Sequence, residues 1–333
     1  MKSRVPMGKQ KPASIDLSKL KLRSVYDRPH LVEVSRFAKT PRRGASMADW
    51  LASLPGFLGV ERLRGAVAAI IAARRADRLV GAGFGAHVIK VGCGPILIDL
   101  MERGVITALA CNGAAAIHDV EVAMVGATSE DVAESIRDGS FGMVRETMQF
   151  FAEATWRGAA DEAGLGRAVG VKLLNGGFPH TGLSVFAAAA RLNVPLTVHV
   201  AVGTDTVHMA AEASGADIGR ATLIDFRRLC ELVGKLGAIA PGGRGGVWCN
   251  IGSAVVMPEV FLKAVSVARN LGADLDAMNT LNLDMIRHYR PAQNVLSRPV
   301  IDGESFEIIG HHEILLPLLR QAIVEQWDGE SEN

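Results

Sequence analysis

Aromatic side chains are scarce in this sequence: they make up 5% of 333 residues, and only two are tyrosines. That argues against an all-β sandwich, whose strands favour aromatic and Thr-rich alternation. Cysteine is equally thin. Cys93, Cys111, Cys230 and Cys249 include no C-x-x-C pair, so a structural zinc site has no spacing to rest on and no metal is expected. Buried, reduced thiols are the plain reading of all four. An excess of one charge is missing too, with 36 Lys and Arg against 35 Asp and Glu. A net charge of +1 supplies no global electrostatic reason to expect nucleic acid or a membrane surface as partner. Long apolar runs are also lacking. Ala66 to Ala73 is among the most apolar stretches, far short of the ~20 residues of a spanning helix. The N-terminus is polar and basic rather than signal-like, so the cytoplasm is the expected location.

What is present is Ala, Val, Ile and Leu in quantity, together with 36 glycines. A parallel sheet covered by helices needs that composition, because its strands are buried on both faces. Residues 1–45 stand apart, with twelve Lys or Arg against three acids and poor helical periodicity. They read as a basic N-terminal arm that wraps a neighbour or stays mobile, or as a solvated tail. From Ser46 helical and strand signals alternate through residues 46–333. Helices are expected at Ser46–Ser53, Val60–Arg75 and Ile96–Glu102, and strands at Arg78–Gly83 and Val105–Cys111. Ser129 reads as an N-cap with Glu130 and Asp131 in the first turn, and a long helix is expected from about Gly142 to Ala163.

The rhythm repeats in the second half. An apolar run at Val169–Leu174 precedes a helix near His180–Leu192, and Pro195–Val202 reads as a strand. Asp205–Ala213 and Arg220–Leu236 read as helical, Val247–Ile251 as a strand and Pro258–Leu271 as a helix. A further strand is expected at Asp274–Asn279 and a closing amphipathic helix at His312–Trp327. The alternation predicts an α/β fold: one doubly wound, mostly parallel sheet of Rossmann-like type behind an N-terminal extension.

Ligands of such sheets bind outside the carboxyl ends of the strands, so the residues following each expected strand carry the chemistry. They are Gly81 to His87, Asn112 to Asp119, Gly203-Thr204-Asp205, Gly252-Ser253 and Asn279-Thr280. Small residues there admit a phosphate or ribose to the backbone, although the G-x-G-x-x-G fingerprint does not follow the first strand. His118, Asp119 and Glu121 form the densest titratable cluster. On a helix begun near Ala116, His118 and Glu121 share a face at i, i+3, a spacing that suits a general acid/base with an orienting carboxylate. It also suits a metal pair for which no third ligand is evident, or acids that merely complement a helix N-terminus.

At these turns the chain resembles the deoxyhypusine synthases. The likeness runs from about Leu54 to the last helix. It includes Val194-Pro195 leading to Thr204-Asp205, Gly252-Ser253-Ala254-Val255-Val256, Gly272-Ala273-Asp274, Asn279-Thr280, Arg290-Pro291 and Pro317-Leu318-Leu319. The resemblance implies NAD as cofactor, a tetramer with active sites between subunits, and a small amine as substrate. It places Asn112, Gly113, Ala114, Asp205, Gly252, Asn279, Thr280 and His311 against NAD, and the strand-end turns add Gly83, His87 and Ser253 as cofactor-binding candidates. One departure matters most. In that family the stretch after the arginine-proline pair holds the catalytic lysine, whereas Arg290-Pro291 is followed by Ala292-Gln293-Asn294-Val295-Leu296-Ser297-Arg298-Pro299. An arginine stays protonated and cannot form the imine. Locally, Asn112 to Glu121 also resembles archaeal-type ornithine cyclodeaminases, over Gly94 to Gly126.

The expected function is therefore NAD-dependent oxidation of a small amine, a polyamine or basic amino acid, to an imine, with His118 as acid/base and Asp119 or Glu121 as its orienter. Two alternatives stand beside it. One is a non-catalytic nucleotide-binding sensor or assembly subunit. The other is aminobutyl transfer through a relocated lysine, for which Lys90 is better placed than Lys172, Lys235 or Lys263.

Overall fold

A computed structural model describes residues 14–237 and 243–327. The chain divides into two units, residues 1–37 and 38–333. The described part of the first holds two 3-10 turns, Leu17–Lys19 and Val34–Arg36, and leaves Ile15, Leu22, Tyr26 and Leu31 exposed.

The second unit opens with α1 (Met47–Ser53), started by a capping box: Asp49 N–H donates to the Ser46 hydroxyl and Ser46 N–H to the Asp49 carboxylate. Next come α2 (Leu58–Arg75), β1 (Val80–Phe84), α3 (Ala86–Lys90), α4 (Gly94–Glu102), β2 (Ala108–Asn112) and α5 (Gly113–Val125). They lead through α6 (Val132–Ser135), α7 (Arg145–Ala160), α8 (Gly164–Asn175) and α9 (Val185–Arg191) to β3 (Leu196–His199). After α10 (Gly215–Gly234) come β4 (Val247–Ile251), α11 (Val256–Asn270) and β5 (Asn279–Asp284). The chain then forms α12 (Tyr289–Pro291), a π-helical turn at Ala292–Ser297, β6 (Ser305–Ile309) and α13 (His312–Val324).

The six strands form one sheet in the order β3-β2-β1-β4-β5-β6, and every neighbouring pair is parallel. Chain order reverses between β1 and β4, which opens a crevice outside their carboxyl ends. α10, α11 and the π-helical turn cover the face that carries Trp248. α2, α4 and α13 pack on the other, against Val247, Cys249 and Ile251. All four cysteines are free and buried, and burial pushes the Cys249 thiol up to about 12. Among the described residues no helix is long and apolar enough to cross a membrane.

The glycines of β1 answer to packing. Trp248 lies beside Gly81 in register, is fully buried, and stacks on Phe261 with ring centroids 4.7 Å apart. A Cβ at Gly83 would stand 2.8 Å from its indole ring. Gly83, expected to face NAD, instead lies inside the strand and makes room for Trp248. Gly83→Ala is accordingly expected to lower stability by about 1–3 kcal/mol, the usual cost of overpacking, read as a lower urea midpoint with an unchanged slope.

Several elements differ from the sequence expectation. Val169–Leu174 is the end of α8, whose buried Leu165, Ala168, Val169 and Leu173 recur at helical spacing. Short apolar runs of this kind do not separate strand from buried helix. Ser129 sits at φ 73° and caps nothing; Asp131 starts α6 by accepting from Ala133 and Glu134 N–H. Asp205–Ala213 yields only a 3-10 turn, Thr206–Met209. The strand expected at Asp274–Asn279 begins where that segment ends. Asp274 accepts Asp276 N–H in a tight turn, and β5 then runs from Asn279 to Asp284. Edge strand β6 was not foreseen.

Candidate active site at the carboxyl edge of the sheet

The Asn112 side chain ends β2 and begins α5 by accepting Ala115 N–H at 3.0 Å. After thirteen helical residues Gly126, at φ 73°, closes the helix. Between those caps, helical spacing puts His118 and Glu121 on one partly exposed face and turns Asp119 inward. The chain leaving Gly126 doubles back and lays Thr128 between the two. His118 Nδ1 lies 2.7 Å from Thr128 Oγ1, and the Thr128 hydroxyl donates to Glu121 Oε2 at 2.5 Å. Thr147 of α7 donates to the other oxygen, Oε1, at 3.2 Å. The imidazole and the carboxylate are themselves 4.0 Å apart. Burial, and next the charge of Lys90, lower the pKa of His118 from its ordinary value, while Glu121 pulls the other way.

These groups line a cavity of about 570 Å³ that also holds Lys90, Glu130, Glu146 and Asp205. Four carboxylates against one lysine give the cavity an acidic lining. Asp205, on the turn after β3, is nearly buried and lies so close to Gly113 that a Cβ there would collide with its carboxylate. Burial raises its pKa, and the nearby His208 opposes the rise. The same residue walls a smaller cavity of about 170 Å³ lined by Phe151, Trp156, Glu212 and Asp217.

Asp119, expected beside His118 in a catalytic role, does other work. Its carboxylate accepts the Ser184 hydroxyl at 2.5 Å, Val185 N–H at 2.8 Å and Phe186 N–H at 3.3 Å. It therefore anchors the start of α9. Burial pushes its pKa up to about 6 against the pull of those donors. Of the two acids, only Glu121 lines the cavity that His118 lines.

At the switch point the turns after β1 and β4 touch: a Cβ on Gly85 would strike the Gly252 carbonyl. Gly252 holds φ 60°, a region where a side chain is strained, and a Cβ there would meet His312 Nε2 at 2.9 Å. The Ser253 hydroxyl accepts Met257 N–H, and Val255 at the N-cap of the fifteen-residue α11 offers no side-chain acceptor. His87 meets His312 edge-on at 5.5 Å. His312 is buried, its Nδ1 has no hydrogen-bond partner, and its Nε2 approaches Leu283 O at 3.4 Å. Asp284, at the end of β5, has an unpartnered buried Oδ2.

The carboxyl edge thus gathers His87, Asn112, Gly113, Ala114, His118, Glu121, Asp205, Gly252 and Ser253. His311 follows β6 on the surface, near Glu313 at 3.8 Å. Asn279 and Thr280 are a correction: they begin β5, and its carboxyl end is Asp284. Asn279 accepts Glu304 N–H there, and Thr280 is fully buried. Sequence reasoning missed Thr128, Thr147, Asp284 and His312. Among the described residues no cluster of three or more metal-ligating side chains occurs.

The switch point fits a dinucleotide. It offers small turn residues and buried polar atoms on His312 and Asp284 still in want of partners, while the first turn of α11 already has the Ser253 hydroxyl as an acceptor.

No protein-family model matches the chain, and no curated protein matches its sequence. Solved structures do share its fold. ArgZ, an arginine dihydrolase from the ornithine-ammonia cycle in cyanobacteria, is 15% identical with a TM-score of 0.50, over 80% of this chain and 31% of ArgZ. Unliganded AgrE is 16% identical at the same TM-score, over 80% of this chain and 33% of AgrE. A protein of Entamoeba histolytica assigned as a deoxyhypusine synthase is 13% identical with a TM-score of 0.50, over 87% of this chain and 98% of that one. The chain spans about a third of ArgZ and AgrE and nearly all of the Entamoeba protein. The α/β fold is thus shared with the Entamoeba protein and with parts of ArgZ and AgrE.

Proposed function

We propose that this protein is an NAD-dependent enzyme that oxidises a small amine, a polyamine or basic amino acid, to an imine. The observation that carries the reading is the His118–Thr128–Glu121 chain of hydrogen bonds in a cavity walled by four carboxylates. Further support comes from the strand order and from AgrE, of the same fold, which is known in a ternary complex with ornithine and NAD+. Assembly as a homo-oligomer belongs to the same reading, supported by the apolar side chains exposed on the short N-terminal unit.

The turn from Gly252 to Val256 would hold the pyrophosphate, with His87 and His312 beside it. NAD+ would supply the hydride acceptor. The carboxylates Glu121, Glu130, Glu146 and Asp205 draw in the ammonium form of the substrate. His118 Nε2 takes one proton from that ammonium, giving R–CH2–NH2. With NAD+ bound, the amine-bearing carbon of that neutral amine would give up a hydride to it, leaving R–CH=NH2+. The iminium is again a cation facing carboxylates.

Calorimetric titration of the full chain with NAD+, then with putrescine, spermidine, L-ornithine and L-arginine, tests the proposal. Binding of NAD+ and of at least one amine is expected. Absence of NAD+ binding would sink it, and NAD+ binding without turnover of any amine would leave a sensor. A pH profile supplies a second check. Burial and Lys90 disfavour the imidazolium, so kcat/KM should fall as pH drops through a midpoint below the ordinary imidazole value of about 6.5. A midpoint above that value would contradict His118 as the base. One observation favours a second reading, transfer through a lysine: Lys90 lines the same cavity. Borohydride trapping of amine-derived label on the wild-type chain, lost in Lys90→Ala, would establish it.

A further inference from the structure

We infer that Thr128 is a positioning residue that fixes the tautomer of His118, so that the lone pair of Nε2 faces the cavity. The inference rests on His118 being the base proposed above, but its physical content is independent of the substrate. An ionised carboxylate only accepts hydrogen bonds, and a hydroxyl carries one proton to donate. Thr128 Oγ1 lies 2.5 Å from Glu121 Oε2, so its proton points there. Toward His118 Nδ1, at 2.7 Å, the same oxygen must then accept. Nδ1 therefore carries the hydrogen of the neutral ring, and Nε2 is left as the acceptor. Nε2 has no hydrogen-bond partner among the described residues.

Glu121 cannot do this alone, because 4.0 Å separates it from Nδ1. Its other oxygen is held by Thr147 of α7, which keeps the carboxylate turned toward Thr128. The remaining charged groups around the ring are Lys90 from α3, Glu130 from the loop after α5, Glu146 from α7 and Asp205 from the β3 turn. None of them makes a hydrogen bond to His118. When Nε2 gains a proton, the positive ring is stabilised through the hydroxyl by Glu121. The hydroxyl arrives on the backbone that turns at Gly126, so the order of that loop and the readiness of the base are linked.

The test is nitrogen-15 NMR of histidine-labelled full-length protein above the pKa of His118, with His118→Gln identifying its signals. The expected result is a protonated Nδ1 and an unprotonated Nε2. In Thr128→Val, which keeps the shape and removes the hydroxyl, a mixture of tautomers should appear. The acidic limb of the pH profile should also move to lower pH, and kcat/KM should fall on the order of tenfold or more, as for other residues that orient an imidazole from behind. Thr128→Ser should restore both. A protonated Nε2 in the wild type, or a tautomer unchanged in Thr128→Val, would overturn the inference. If no amine is oxidised but the tautomer behaves as described, the functional reading fails and the role of Thr128 stands.

Discussion

Replacing His118 with alanine is expected to lower kcat for amine oxidation by about 10²–10⁴-fold, the usual contribution of a placed general base. NAD+ affinity and thermal stability should hardly change. His118 is partly exposed to the cavity, and its side-chain hydrogen bond among the described residues is the one with Thr128, so its loss removes chiefly a proton acceptor. The size of the effect separates two roles. A histidine that merely packs at a strand end would cost stability and spare turnover. Steady-state kinetics and a melting curve on the same preparation distinguish them, and a drop in melting temperature with kcat intact would refute the assignment.

Asp119→Ala should do the opposite. Its carboxylate serves three buried donors at the start of α9, and each donor left without an acceptor costs about 1–3 kcal/mol. A loss on the order of 3–5 kcal/mol is expected, read as a lower urea midpoint with an unchanged slope. Whatever protein remains folded should keep its amine and NAD+ affinities. A midpoint shift equivalent to less than about 1 kcal/mol would mean that the donors find other acceptors. Two neighbouring residues thus divide along the face of one helix: His118 turns to the cavity and Asp119 to the scaffold.

That division shows what the sequence could and could not convey. The i, i+3 spacing of His118 and Glu121 was legible, because it is local to α5; the helix was expected to begin near Ala116, whereas the Asn112 cap starts it at Gly113. The work of Asp119 was hidden, since its partners Ser184, Val185 and Phe186 lie more than sixty residues away. Thr128 was hidden for a related reason: it reaches His118 only after the backbone turns through left-handed Gly126. The strand alternation gave the sheet, and composition gave its parallel, doubly covered character. β5 was misplaced because Thr280 and Asn282 make it look polar. Inside the sheet those polar groups are buried, and Asn282 accepts from Asn250 of β4 at 2.8 Å. Gly83 had the small side chain a nucleotide turn needs, yet it answers to Trp248, which lies on a strand more than 160 residues further along the chain.

The missing lysine after Arg290-Pro291 also has a structural setting. Those residues sit in α12 and run into the π-helical turn, where Arg290 pairs with Glu259 and Asn294 donates to the same carboxylate. The segment braces α11, the helix that starts at the switch point.

The central claim is that an amine loses its hydride to NAD at the His118 cavity. Single-turnover incubation of the full chain with NAD+ and putrescine or L-ornithine deuterated at the amine-bearing carbon tests it directly, with the mass of the recovered nicotinamide as the readout. Deuterium on the nicotinamide from wild type, with none from His118→Ala on the same timescale, is the predicted result. Bound NAD+ that stays unlabelled with every amine tried, or equal labelling by His118→Ala, would contradict it.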